Sequence, residues 1–171
     1  MRHWNVTPGE IREHYPCQDH AAPGDELLLR AIDVDADPAT TFRWLCQITV
    51  APYSYDWIDN GGRRSPATLT PGADRLVDGQ PVLGIFRLVE HDDRQLTMVT
   101  TARAERLFGR VFATYLATER PGGSRIVVAF TVGAHGRLQR LRRRALAWGD
   151  VLMVRKQLRT LKEYAEASGR G

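Results

Sequence analysis

Leu138, Leu141, Ala145, Trp148, Leu152, Leu158, Leu161 and Ala165 stand at steps of three, four or six residues, with arginine and lysine between them. Side chains three or four apart share a helix face, so this spacing predicts one long amphipathic helix after Gly136. An apolar stripe of that length has to be covered, and the rest of the chain must supply a broad apolar surface for it. Gly149 falls in its middle, where it costs about 1 kcal/mol against alanine and marks a kink or a close approach to the backbone.

Strands supply that surface. Pro81 to Glu90, Gln95 to Ala102, Arg110 to Glu119 and Ser124 to Gly133 are rich in β-branched and aromatic residues. They are separated by HDDR, by a short link of Ala, Arg and Glu, and by PGG, which predicts an antiparallel meander. Upstream, Glu26 to Asp35 reads ELLLRAIDVD and alternates from Arg30 onward, as a half-buried strand does. Asp37-Pro38 then sets an N-cap and a first helical residue, and Phe42, Leu45, Cys46 and Thr49 share a stripe, predicting a helix over 38–48.

The stretch APYSYDWIDNGGRRSP, residues 51–66, places Tyr53, Tyr55 and Trp57 on alternate positions. Alternation suits a strand, but polar turn formers follow at once. A second short helix uses the residues better: Ser54 caps it, Asp56 sits in its first turn, Tyr53 staples onto Ile58 and Gly61 ends it. Residues 1–25, with Pro8, Pro16 and Pro23, read as an irregular arm packed over something. The predicted order is strand, two helices, β-meander and long helix. This is an α+β fold in which a curved antiparallel sheet wraps a C-terminal helix, with the space between them either filled or left as a cavity.

At 171 residues the chain fits one domain, expected over 26–167 behind the 1–25 arm. Its 43% hydrophobic and 26% charged residues are those of a globular protein rather than a disordered or membrane chain. The longest apolar run, Ile126 to Ala134, is too short for a membrane-spanning helix, and MRHWNVTPGE lacks the apolar core of a secretory signal. The expectation is a cytoplasmic protein with Cys17 and Cys46 reduced. The net charge of +4 is local, because Arg137, Arg140, Arg142, Arg143 and Arg144 alone exceed it. This segment reads first as a solvated helix face and secondly as a patch for an anionic surface; nucleic acid is not the expected partner.

His14, Cys17 and His20 form H-x-x-C-x-x-H beside Asp19, but structural zinc sites take four ligands and Pro16 breaks the helix that would align these three. The expectation is an ordinary surface arm with no metal and no cofactor. Gly61-Gly62-Arg63-Arg64 has the residues of a phosphate-binding turn and reads more simply as an exposed turn. No phosphate loop, dinucleotide fingerprint, nucleophile elbow or zinc-protease motif is present. Groups able to serve as acid or base are few: Tyr53, Tyr55, Asp56, Arg87, His91 and Tyr115. Of these, His91 falls in a hairpin turn and Asp56 serves a helix start.

On RAIDVDADPATTFRWLCQITVAPYSYDWIDNGGRRSP, the GIFRLV strand and the WGDVLMVRKQLRTLK helix, the chain resembles the START-like, helix-grip superfamily. That superfamily groups polyketide cyclases and dehydratases with lipid-transfer and pollen-allergen proteins. The resemblance covers roughly residues 15–165 and implies that the two short helices form a V supporting the terminal helix. It implies a ligand cavity between sheet and helix, with Phe86, Phe112, Tyr115, Phe130, Trp148 and Leu152 as lining. Tyr53, Tyr55 and Trp57 would pack on the terminal helix or close one end. The expected function is holding an apolar or aromatic metabolite or lipid. The alternatives are a cyclase or dehydratase using Tyr and Arg groups, or an interaction module using residues 137–144. A homodimer is compatible with all three.

Overall fold

The computed structural model describes residues 3–54, 64–133 and 137–169, with the side chains of Phe108 and of residues 137–152 outside the description. The elements in chain order are β1 (His3–Trp4), α1 (Pro8–Arg12), β2 (Glu26–Val34), α2 (Pro38–Cys46), β3 (Pro81–Val82), β4 (Phe86–His91), β5 (Gln95–Thr100), α3 (Ala102–Phe108), β6 (Val111–Arg120), β7 (Gly123–Val132) and α4 (Arg137–Ser168). Single 3-10 turns cover Pro16–Gln18 and Gln47–Thr49. The fold is α+β with a long C-terminal helix, as the sequence predicts.

The strands form one sheet in the order β1-β2-β7-β6-β5-β4-β3, antiparallel throughout except for the parallel β1–β2 pair. Alternation along each strand separates two faces. Leu28, Ile32 and Val34 of β2, Ala113, Tyr115 and Ala117 of β6, and Ile126, Val128 and Phe130 of β7 share a core with Val154, Leu158, Leu161 and Ala165 of α4. This is the concave face. Leu29 and Ala31 of β2, Phe112 of β6, and Val127 and Ala129 of β7 form a separate cluster with Tyr15 and Cys17 of the arm. Both faces are therefore dry, and neighbouring residues of one strand belong to different cores.

Two segments differ from expectation. Pro81 to Glu90 is not one strand: Leu83 and Gly84 take positive φ values of 52° and 69°, and the chain turns so that Val82 pairs with Phe86. The link before β6 is a seven-residue helix, α3, capped by Thr101, whose hydroxyl accepts from the Ala104 N–H. The arm is also more regular than expected. Thr7 and Glu10 form a reciprocal capping box at the start of α1, and the 3-10 turn at Pro16–Gln18 lies on the convex face.

The end of the sheet beside α2 is closed tightly. Asp37 caps α2 through the Thr40 N–H, as read from Asp37-Pro38. The Thr41 and Ser124 hydroxyls bond at 2.6 Å in the interior, tying α2 to β7. Gly123 is obligatory there, because a Cβ would stand 2.4 Å from the Val34 carbonyl oxygen. Glu166 accepts from the Asp35 N–H and pairs with Lys162, fixing the last turns of α4 to the same corner.

Candidate functional site

In this architecture the space with functional potential is the concave wall and the helix that crosses it. Its closed end is aromatic. Trp44 of α2 stacks on Tyr164 of α4 with ring centroids 5.0 Å apart, and Tyr53 meets both edge-on at 6.2 and 6.1 Å. The Trp44 indole donates to Ser168 Oγ at 3.0 Å, so the tip of α4 is pinned to α2. Tyr53 reaches this place with φ of 54°, its N–H donating to Ser65 Oγ. It therefore packs on the terminal helix within an aromatic cluster, and Ile58, onto which it was expected to staple, lies outside the described residues.

Further along the wall the packing becomes mixed. Tyr115 stands on β6, edge-on to Phe130 of β7 at 6.4 Å, and its hydroxyl donates to Gln157 Oε1 of α4 at 2.7 Å. Gln157 Nε2 in turn donates to the Pro52 carbonyl at 2.6 Å. This relay crosses from sheet to helix to the segment after α2, and each group in it is buried or half-buried. Arg30 lies on the same face with 1% of its surface exposed, and one of its nitrogens donates to the Leu29 carbonyl. No carboxylate among the described residues is buried on the concave face.

Neither polar member of the wall is among the residues expected there, yet each leaves a signal in its apolar pattern. Gln157 sits three residues after Val154 and four before Leu161, on the apolar stripe of α4. Arg30 interrupts the apolar series Leu28, Ile32 and Val34 on one strand face. A polar residue on an otherwise apolar face must find partners when buried, which is the pattern both follow.

The predicted lining divides into three groups. Phe86, Tyr115 and Phe130 belong to the concave core, Phe86 only partly buried. Phe112 does not: it lies in the convex cluster, stacked on His20 at 5.2 Å. The reason is elementary, since residues 112 and 115 are an odd number of steps apart on one strand and must face opposite ways. Tyr55, Asp56 and Trp57 and the turn at 61–63 lie outside the described residues, as do the side chains of Trp148 and Leu152 and of the arginines in 137–144.

The remaining candidates serve other ends. Arg87 is exposed, and His91 pairs with Asp78 at 3.0 Å at the sheet edge. His14 pairs with Asp19 at the surface, whereas Cys17 is fully buried with its N–H donating to Thr114 Oγ1. Burial pushes the Cys17 thiol up to about 11 and that of Cys46 up to about 12, so both resist ionisation. A hollow of about 200 Å³ opens beside Arg43, Gln47, Thr70 and Asp74, on α2 and the 69–74 loop rather than between sheet and α4. No helix among the described residues is long and apolar enough to cross a membrane.

No family model and no curated protein matches the sequence. Solved structures do match the fold. The di-domain ARO/CYC StfQ from the steffimycin biosynthetic pathway aligns with a TM-score of 0.52 at 12% identity, over 85% of this chain and 52% of that one. The chain thus spans about half the length of StfQ. Protein MLL2253 from Mesorhizobium loti aligns at 12% identity and a TM-score of 0.49, over 83% of this chain and 98% of that one. Ara h 8.0201 aligns at 11% identity and 0.48, over 84% and 99%. At such identities the likeness is one of fold, and with its curved antiparallel sheet and long terminal helix the chain has a helix-grip fold.

Proposed function

We propose that this chain is a binding protein for an apolar or aromatic small molecule, held between the concave face and residues 137–152 of α4. Phe86, Tyr115 and Phe130 form the described wall in this reading, and Trp148, Leu152, Tyr55 and Trp57 are the further residues proposed for the site. The observation that carries it is the Tyr115–Gln157–Pro52 relay, a small set of fixed polar groups within an aromatic wall. Small-molecule sites have that composition: mostly apolar, with a few placed donors and acceptors that orient the ligand. The closed end is filled by Trp44, Tyr53 and Tyr164, which directs a ligand toward the other half of the helix.

A cyclase-type enzyme shares this fold but needs a base able to enolise a carbonyl, and fold does not carry activity with it. Native mass spectrometry of the purified protein tests the proposal. A copurified apolar small molecule that is lost on denaturation is the expected result. A mass equal to the bare chain, together with no uptake of an apolar fluorescent probe, would refute it.

A further inference from the structure

We propose that the exposed face of α3 is a docking surface for an anionic lipid bilayer. Arg103, Arg106 and Leu107 follow the i, i+3, i+4 spacing that puts side chains on one helix stripe, and Arg110 follows just past the end of α3, after Gly109 at φ 87°; all four are exposed. Ala104 is the one buried residue among the described side chains of α3, so the helix rests on the protein body there and leaves Arg103, Arg106 and Leu107 exposed. Leu107 exposes 60% of its surface and Ile85 42%. Ile85 lies beside the start of α3, because its carbonyl accepts the N–H of Thr101, the cap of the helix, at 2.8 Å, and Leu107 stands about 9 Å further along the helix.

The charge is one-sided. Arg110 pairs with Glu105 at 3.4 Å, while neither Arg103 nor Arg106 meets a carboxylate among the described residues. More positive charge starts nearby. Val111, three residues past the end of α3, pairs with Val132, and α4 begins five residues after Val132 at Arg137, within about 18 Å of that strand end. The first eight residues of α4 hold five arginines and no acid.

Cationic side chains around exposed leucine and isoleucine match a bilayer interface, which takes up apolar side chains and attracts cations to anionic headgroups. Nucleic acid satisfies the charges but leaves Leu107 and Ile85 uncovered. A binding protein for apolar molecules would gain a loading surface here, yet the docking itself does not depend on any ligand.

Flotation of the full chain with phosphatidylcholine vesicles, with and without phosphatidylserine, tests the proposal. Binding is expected only with phosphatidylserine, falling steeply with added salt. Arg103→Gln with Arg106→Gln should weaken it about fivefold for each arginine, at about 1 kcal/mol per charge near the membrane. Leu107→Gln should weaken it at all salt concentrations, and both variants should melt like the parent, since the altered side chains are exposed. No vesicle binding, or binding unchanged in both variants, would overturn the proposal. So would duplex nucleic acid binding tighter than vesicle binding and indifferent to Leu107→Gln. None of these outcomes bears on a copurified ligand, so the two proposals fail separately.

Discussion

The concave face of the sheet is closed by Leu158, Leu161 and Ala165 of α4 and by three packed aromatics, whereas the convex face is held by threonine hydroxyls and one ion-paired arginine. On the convex side Thr97 and Thr114 bond at 2.8 Å, Thr114 receives the Cys17 N–H, and the Thr131 hydroxyl donates to the Cys17 carbonyl. Arg125 gathers the arm with one guanidinium, donating to Glu10 at 2.5 Å, to Asp33 at 2.7 Å and to the Asn5 carbonyl. The concave cover is driven by area and tolerates polar groups only as a relay. The convex cover is short and is tied down by directed bonds. The difference teaches where each cover is weak: one fails when volume is removed, the other when a single charge is removed.

Volume on the concave side should matter most. Leu158→Ala or Leu161→Ala should cost about 2–5 kcal/mol in denaturant unfolding, since both side chains are fully buried. A loss near zero would mean that α4 does not seal this face. Next comes the convex pair. Glu10→Gln leaves Arg125 without its main carboxylate and should cost about 1–3 kcal/mol, less than a fully dry ion pair because water reaches its edge. Its signature should be local: Cys17 becomes reactive toward a thiol reagent well before Cys46, which α2 buries. Equal labelling of the two cysteines would show that the arm is not a separable cover.

These two covers also differ in how far the sequence disclosed them. The stripe of α4 and the Asp37-Pro38 start of α2 were readable because each repeats a local period or carries a local cap. The arm was not, since it is tied by single bonds between residues about a hundred apart, such as Cys17 with Thr114, that leave no period behind. Helix α3 spans seven residues, too few for an apolar repeat to stand out, and Thr101 was its one signal. Of the predicted lining, Phe112 went to the wrong face because β6 is hydrophobic on both sides. Composition alone does not set the register of a strand buried between two cores.

Smaller effects sharpen the comparison. Tyr115→Phe removes the donor to Gln157 and should cost about 1–2 kcal/mol, with Gln157→Leu in the same background restoring part of it. Non-recovery would mean that the relay holds the segment at Pro52 more than it holds Tyr115. For pH the prediction concerns the arm. Burial opposes the charge of Glu10, but bonds from Arg125 and the Thr7 N–H and the guanidinium charge outweigh it, leaving the carboxyl below its usual 4.5. Its contribution is therefore complete above about pH 4.5 and is lost as pH falls through the lower folded value. Glu10→Gln should flatten that acid limb of the stability curve, and an unchanged slope would assign it to other carboxylates.

The most direct test uses matched residues on opposite faces. Phe112 and Phe130 are 9% and 6% exposed, one on the convex and one on the concave face. Phe112→Leu and Phe130→Leu should lower stability by similar amounts, and titration with an apolar fluorescent probe then separates them. Probe affinity should change several-fold in Phe130→Leu and stay at the parental value in Phe112→Leu. A parent protein that binds no probe, or two variants that shift its affinity equally, would contradict a ligand site on the concave face.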